Sequence, residues 1–449
     1  MSSTHFVILG NGISGITFAR HLRKGNADAQ ITVISGESPY FFSRTALMYV
    51  YMGQMKWEHL YPYEPQFWVK NRITLKQAWV TTLDVDAKKL GFDTGEELSY
   101  DYLILATGST PAFYDWPGQQ LQGVQGLYSK QDLDTLEAST QSPINRAVIV
   151  GGGLIGVELA EMLAYRKIPV TFLVRESRFW EQSLPKQEAA LVHQHLLAQG
   201  IDLRLGTALK EIISDSQGRV GAVRTSQNEE IPCQFVGLAT GVKPNIDFLK
   251  ISGLNTRQGI LVNSYFQTSA PNVYAIGDCA EFEQVPADGR KTIEQVWYTG
   301  RMHGETLAAN FCTSPQPYAP GVWFNSAKFF EIEYQTYGVI AVEVGEDIQE
   351  FYWEHPGGKI AFRLQMDAKG KILGVLALGF RLRQEYFDRA IREGWSGLKV
   401  ISTLHQANFD PEFFDPHHVA IQKSFQSQMG VSFPLPKKSL IHHLFGASS

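Results

Sequence analysis

Short apolar runs, glycine turns and helically spaced apolar residues alternate along the first 310 residues. His5-Phe6-Val7-Ile8-Leu9 runs into Gly10-Asn11-Gly12-Ile13-Ser14-Gly15, Ile16, Ala19 and Leu22 follow at helical spacing, and Ile31-Thr32-Val33-Ile34 is apolar again. An apolar run bounded by turn residues predicts a strand buried on both faces, and the spacing that follows predicts a helix packed on it. The same succession returns at Arg146–Val150, Gly151-x-Gly153-x-x-Gly156, a helical stretch, and Pro169-Val170-Thr171-Phe172-Leu173-Val174. The stretch from Tyr100 reads as a strand ending in the Thr107-Gly108 turn, 109–118 with its two prolines reads as a linker, and the run at 235–239 ends in Thr240-Gly241. Two copies of one pattern predict an internal duplication. Helices are predicted near 128–140, 191–199 and 292–311, and Asn272–Ala280 reads as a strand ending in Gly277-Asp278. Past a proline-rich linker at 315–320 the periodicity changes. Strands are predicted at 322–332, 336–343, 348–354, 359–366 and 372–379, then helices near 381–393 and 395–405, an α+β arrangement. A tail follows Asn408, with His417-His418 read as solvated, a basic Lys437-Lys438 and a slightly amphipathic end at 440–445.

The glycines carry the chemistry. In each Gly-x-Gly-x-x-Gly the first glycine permits a tight turn, the second lets backbone approach a pyrophosphate, and the third lets helix pack on strand. The pyrophosphate meets the N–H groups of a helix N-terminus. Glu37 lies 22 residues after Gly15, where a carboxylate either binds a ribose diol or sits solvated in a loop. Arg44 lies within an aromatic stretch (Tyr40, Phe41, Phe42, Tyr49, Tyr51, Trp57) and is a candidate phosphate partner. Asp278 either caps the next turn or binds a polyol hydroxyl. After the second fingerprint, the place of a ribose-binding acid is taken by Val174, with Arg175 and Arg178 beyond it. A missing acid beside arginine leans towards a 2′-phosphate, although Glu176 sits between them.

Composition narrows the class. The chain has 449 residues, 44% hydrophobic and 19% charged, enough for several domains with sizeable cores. A net charge of −5 gives no nucleic-acid footprint. Three cysteines, Cys233, Cys279 and Cys312, form neither a disulfide framework nor a metal-ligand pattern, and no metal site is expected. With no run of 18 apolar residues and no basic leader, a cytoplasmic protein without a transmembrane segment is expected.

Two glycine fingerprints 141 residues apart, with A-T-G-S, A-T-G-V-K-P-N and Y-A-I-G-D-C-A in that order, resemble the pyridine nucleotide–disulfide oxidoreductase superfamily over residues 5 to about 310. The resemblance implies an α/β fold of two Rossmann-like dinucleotide-binding domains and a C-terminal α+β interface domain. It assigns residues 1–125 and 246–314 to an FAD-binding domain, 126–245 to an inserted NAD(P)-binding domain, 315–407 to the interface domain, and 408–449 to the tail. It further implies that Gly10, Gly12 and Gly15 hold the FAD pyrophosphate and Glu37 its ribose. Asp278 would meet the ribityl and pyrophosphate region, with Thr107 and Gly108 near the flavin. Gly151, Gly153 and Gly156, with Arg175 and Gly241, would hold the nicotinamide nucleotide, and Glu158 would position its nicotinamide. Homodimerisation is implied in the same way.

The subfamily is narrower. Disulfide reductases of this superfamily carry C-x-x-x-x-C after the first acid, and single-cysteine oxidases place a thiol near Ser43-Arg44; this chain has no cysteine before Cys233. Phe42-Ser43-Arg44-Thr45-Ala46-Leu47 is instead similar to the Y-x-R-x-x-L segment of ferredoxin and rubredoxin reductases and of the nitrite reductase FAD region. Thr292-Ile293-Glu294-Gln295-Val296-Trp297 is similar to their flavin-facing segment, which implies flavin contacts for Arg44, Glu294 and Trp297. Met48 and Tyr49 replace the lysine those reductases carry next. The expectation is an NAD(P)H oxidoreductase without a redox disulfide, passing electrons to a ferredoxin- or rubredoxin-type protein. A small oxidant or quinone is the alternative acceptor, and a redox-responsive regulatory protein the alternative class.

Overall fold

The computed structural model describes residues 3–286, 290–410 and 415–435. Lys437-Lys438 and the 440–445 segment lie outside the described residues. In chain order the α-helices are α1 (Ile13–Gly25), α2 (Leu47–Tyr51), α3 (Pro65–Lys70), α4 (Lys130–Thr140), α5 (Leu154–Tyr165), α6 (Lys186–Ala198), α7 (Trp297–Cys312), α8 (Gln384–Arg392), α9 (Gly397–Ser402) and α10 (His418–Met429). The chain divides into two compact units, one of residues 1–175 and 207–320, the other of 176–206 and 321–449.

In the first unit, five parallel strands lie in the order Val273–Ala275, Tyr102–Leu105, His5–Leu9, Gln30–Ser35, Ile73–Gln77. Alternate residues of the central strand serve two cores, because successive side chains point to opposite faces. Phe6 and Ile8 pack with Ile16, Phe18 and Leu22 of α1 and Leu307 of α7. Val7 and Leu9 pack with Leu103, Leu105 and Val273. Each fully buried Leu, Ile or Phe contributes about 1.5–3 kcal/mol, so these runs suffice to fix the strands without polar alternation. α7 lies against α1 through glycine: a Cβ on Gly304 would stand 2.5 Å from Ser14 O, and one on Gly300 2.7 Å from Ser14 Oγ.

A second parallel sheet of this unit orders Val170–Leu173, Ala147–Val150, Phe235–Leu238 and Val124–Gln125. One face is covered by the antiparallel strands Leu209–Ser214, Val220–Thr225 and Glu230–Pro232, through Ile212, Val223 and Ile231. The two parallel sheets are joined by a short ribbon, Ser109–Pro111 antiparallel to Val242–Pro244. Residues 109–111 were expected as linker, and their pairing with the strand after Gly241 makes them sheet.

In the second unit, an antiparallel sheet runs Phe324–Phe329, Ile332–Gly338, Ile372–Leu378, Ala361–Asp367, Ile348–Glu354. The second strand begins at Ile332 rather than 336, because Phe330, at φ 48°, turns the chain tightly enough to pair Phe329 with Ile332. The stretch expected as a tail also departs from its reading: α10 buries Ile421 and Phe425 among Phe351, Phe362, Ile401 and Leu404. His417 is not solvated either. It packs against the rings of Trp353, His355 and Phe380, and His418 shares a 2.9 Å hydrogen bond with Asn408. Among the described residues no helix is long and apolar enough to cross a membrane.

Candidate functional site: two glycine cradles joined by a ribbon

Both fingerprints sit where the sequence places them, between the end of a buried strand and the start of a helix, and their geometries match glycine for glycine. Gly10 has φ 117° and Gly151 φ 112°, values only glycine holds without strain. A Cβ on Gly10 would lie 2.0 Å from Ala106 O, and one on Gly151 2.4 Å from Ala239 O, so each fingerprint turn rests against an A-T-G turn. A Cβ on Gly15 or Gly156 would strike the carbonyl of the first glycine of its own motif, at 2.1 and 2.4 Å. By contrast, a Cβ on Gly12 or Gly153 meets no atom within 4 Å. These middle glycines face open space at the N-termini of α1 and α5, neither of which has a side-chain cap. The two helix ends thus offer uncommitted N–H groups and positive dipole ends to an anion.

Around the first cradle the polar residues converge from distant segments. Asn11 is buried and donates to Ser38 O at 2.9 Å, tying the glycine turn to the loop that carries Glu37. Arg44 forms a two-point pair with Glu37, at 2.8 and 2.6 Å, and donates to Tyr128 O at 2.7 Å. The backbone N–H of Lys130 also donates to Glu37, at 2.9 Å. Glu37 is therefore held rather than solvated, and Arg44 meets a carboxylate of the protein itself. Asp278 accepts from Ser109 Oγ at 3.0 Å and Tyr128 OH at 3.3 Å. Burial raises the Asp278 carboxyl above its usual range, and those two donors oppose the rise. Gln295 donates to Ser109 Oγ at 2.8 Å, which brings the 292–297 segment to the same place. Gly277 N donates to His303 Nδ1 at 3.1 Å, and burial pushes the His303 pKa down to about 3, so the ring is a neutral acceptor.

The 292–297 segment is not helical as expected. Val296 is extended and α7 starts at Trp297. The carboxylate of Glu294 accepts from Thr299 Oγ1 at 2.9 Å and pairs with Arg290 at 3.4 Å, while Trp297 is 38% exposed.

The ribbon links the two cradles. Thr107 Oγ1 donates to Asn245 O at 2.8 Å and Asn245 N donates to Gly108 O at 2.9 Å. Ala112 N donates to Gly241 O at 3.0 Å and Thr240 Oγ1 to Ala112 O at 3.0 Å. At the second cradle, Glu158 lies on α5, and burial with the nearby Glu161 pushes its carboxyl up to about 7. Val174 is fully buried, and a Cβ on Gly152 would lie 2.8 Å from one of its methyls. Arg175 follows it, exposed. Arg178 pairs with Glu181 and Glu343 in the second unit.

Ser109, Tyr128, Lys130, Gln295 and Asn245 were not singled out from the sequence. Ser109 closes an A-T-G-S turn and Asn245 the K-P-N that follows the second, a usable signal. Tyr128, Lys130 and Gln295 are brought in only by the fold.

The model of the pyridine nucleotide-disulphide oxidoreductase family matches residues 4–304, and the chain belongs to that family. It is 26% identical over 421 residues to an assimilatory nitrate reductase electron transfer subunit of Bacillus subtilis, covering 93% of this chain and 52% of that one. The chain thus spans about half the length of that relative. It is 28% identical over 404 residues to an NADH oxidase of Methanocaldococcus jannaschii, covering 85% and 89%. To a ferredoxin reductase subunit of the 5,5'-dehydrodivanillate O-demethylase of Sphingobium it is 29% identical over 339 residues, covering 75% and 82%. The fold is similar to a ferredoxin reductase of Rhodopseudomonas palustris, with TM-score 0.76, 23% identity and 84% and 91% covered. It is similar too to an NADPH-bound water-forming oxidase engineered from that of Lactobacillus brevis, with TM-score 0.79, 17% identity and 95% and 99% covered. The cofactors of the family are FAD and NAD(P)H. The two open cradles fit two pyrophosphates, since Gly12 and Gly153 leave free the space a side chain would fill.

Proposed function

We propose that this chain is an FAD-dependent NAD(P)H oxidoreductase that hands electrons to a small carrier protein of the ferredoxin or rubredoxin type without a thiol relay. The observation that carries this reading is the pair of matched cradles, stitched by one ribbon, in a chain whose cysteines are free and unsuited to redox work. Cys233 and Cys279 are buried, and Cys279, beside Asp278, donates to Leu105 O and Ile276 O while burial raises its thiol pKa. A protonated, buried thiol is a poor nucleophile.

FAD, once bound, supplies the chemistry by taking hydride from the nicotinamide and releasing electrons to the acceptor. The residues of this chain bind, orient and hold protons. Gly10, Gly12 and Gly15 with the α1 N-terminus hold one pyrophosphate. Glu37 and Arg44, pre-paired, would hold its nucleoside side, and Asp278, Thr107 and Gly108 would meet its polyol. Glu294 and Trp297 would border the flavin, and Trp297, 38% exposed, would be partly open to an incoming partner. Gly151, Gly153 and Gly156 with α5 hold the donor, Gly241 closes the turn beside it, and Glu158 positions the nicotinamide with a proton exchangeable near neutral pH. Likeness to a ferredoxin reductase subunit supports a protein acceptor.

The donor we favour is NADPH. In the engineered NADPH oxidase an Asp is changed to Ala eighteen residues after a Gly-to-Ala change, and the next residue is changed from Ala to Arg. Here Val174 stands eighteen residues after Gly156 and is followed by Arg175. An apolar residue removes the carboxylate that would repel a 2′-phosphate, and the arginine supplies a charge to meet it. The cytoplasm, which supplies such donors and keeps thiols reduced, is the compartment this reading implies.

Anaerobic titration of the purified protein with NADPH and NADH, following flavin absorbance, tests the reading. Bleaching by one nucleotide, then recovery on adding a ferredoxin or rubredoxin, is the expected result. A colourless protein, or a flavin that neither nucleotide bleaches, would overturn it. Slow turnover with every acceptor and a size change on reduction would point to a regulatory protein instead.

A further inference from the structure

The ribbon of Ser109–Pro111 and Val242–Pro244 carries the chain from one nucleotide-binding layer to the other and back. Two strands of three residues each are a narrow connection, and a narrow ribbon leaves rotation about its own axis weakly restrained. A second attachment exists away from it. Tyr51, the last residue of α2, is fully buried, and its hydroxyl donates to Thr140 Oγ1, at the end of α4, at 2.9 Å. The guanidinium of Arg166, at the C-terminal cap of α5, lies 3.6 Å from the centroid of the Tyr51 ring. Its Nε donates to Tyr51 O at 2.8 Å, and its Nη2 donates to the same carbonyl and pairs with Glu137 of α4 at 2.6 Å.

The connectivity gives this cluster its meaning. α2 begins three residues after Arg44, and α4 begins at Lys130, whose N–H meets Glu37. Both helices are therefore attached to the polar network of the first cradle. α5 carries the second cradle at its other end. At 1.5 Å per residue its 12 residues span roughly 18 Å, so a tilt of about 3° at Arg166 moves Gly153 by about 1 Å. A shift of that size between reacting groups is enough to cost on the order of a hundredfold in rate.

We infer that Arg166 is a positioning residue. By clamping the C-terminal end of α5 to Tyr51 and Glu137, it holds the donor cradle in register with the first one. This rests on the oxidoreductase reading above. Arg166 touches neither cradle and acts only through α5.

The test uses the full chain with its flavin, as Arg166→Met and Arg166→Lys. Arg166→Met is expected to keep its flavin and to be bleached by dithionite like the unaltered protein. Its reduction by saturating NADPH should slow ten- to a hundredfold, with a weakened long-wavelength absorbance of the reduced protein in the presence of NADP+. Arg166→Lys, which keeps a charge for Glu137 but loses the stacking and the fork, should fall between. Amide hydrogen exchange without nucleotide should quicken in α2 and the last turn of α5 and stay unchanged in the five-stranded sheet. Reduction at the unaltered rate by Arg166→Met, or by a well-folded Arg166→Lys if the methionine variant loses its flavin, would overturn the inference. Failure of the unaltered protein to bleach would instead sink the oxidoreductase reading, and the exchange data would still report on the clamp.

Discussion

Glu37 and Arg44, seven residues apart, are joined by two parallel N–H···O bonds of 2.8 and 2.6 Å beside the first glycine cradle. Charge-assisted pairs of this fork geometry are strong and directional. The Arg44 guanidinium also lies over the rings of Phe42 and Tyr128, at 5.1 and 4.5 Å from their centroids. Arg44→Ala leaves Glu37, largely enclosed, without its counter-charge. Both side chains keep some exposure, so the cost should fall below that of a fully buried pair, at about 2 kcal/mol. Flavin content and thermal unfolding measure it. Arg44→Lys should recover little, because an ammonium cannot reproduce the fork or the stacking; full recovery would mean that charge alone matters.

The two kinds of glycine in the first fingerprint should fail differently. Gly12 has φ −73° and open space at its Cβ position, so Gly12→Val folds but fills the space of the pyrophosphate. The expected product is a soluble, colourless protein with the thermal stability of the unaltered protein stripped of its flavin. Gly10→Val is strained by its φ and strikes Ala106 O, so it should be unfolded or insoluble. A yellow Gly12→Val protein would count against the pyrophosphate assignment. Gly153→Val should stay yellow and lose reduction by NADPH while still reacting with dithionite.

Gly10, Gly15, Gly151 and Gly156 were legible in the sequence because the backbone itself demands them, whereas Gly12 and Gly153 answer to the space a pyrophosphate needs. A φ of 112–117°, or a carbonyl 2.0–2.4 Å from a would-be Cβ, excludes every other residue, so the constraint is written at one position. The parallel strands were legible for a similar reason, since burial on both faces forces continuous apolar runs. The polar network was not. Ser109, Tyr128, Asp278 and Gln295 come from four segments, and nothing local to Tyr128 says that its hydroxyl meets Asp278. Glu37 and Arg44 were read as separate contacts, because a bidentate pair across a turn leaves no periodic trace. The α10 helix was missed because flanking prolines and a His pair look like loop, while Ile421 and Phe425 are held by packing.

Glu158 predicts a pH effect with a definite sign. Burial, then the charge of Glu161, pushes its carboxyl from the ordinary 4.5 to about 7. The fold therefore keeps a proton that the unfolded chain releases, so stability falls as pH rises between about 4.5 and 7. Glu158→Gln cannot ionise, and should be more stable than the unaltered protein above pH 7 with little difference near pH 4.5. The rate of flavin reduction by NADPH should show a step near pH 7 that the glutamine variant lacks. A step of equal size and position in the variant would assign that titration to another group.

The second unit holds its own polar test in Arg363 and Glu188, both essentially inaccessible at 1% and 0% side-chain exposure. Arg363 donates to both oxygens of Glu188, at 2.7 and 2.9 Å, to Gln187 at 2.6 Å, and to Glu350. Each guanidinium nitrogen thereby has an acceptor, and the group joins α6 to the strand Ala361–Asp367. Burial raises the Glu188 carboxyl and the Arg363 bonds lower it, with burial the stronger. A carboxylate in that balance depends on its partner. Arg363→Met should cost about 3–5 kcal/mol, since it leaves a buried acid unpaired. The double change Arg363→Met with Glu188→Leu should recover most of that loss, because apolar groups of similar volume need no counter-charge. Denaturant midpoints of the single and double variants decide the matter. A double variant as unstable as the single one would mean that the network holds α6 by its hydrogen-bond geometry, not merely by charge balance.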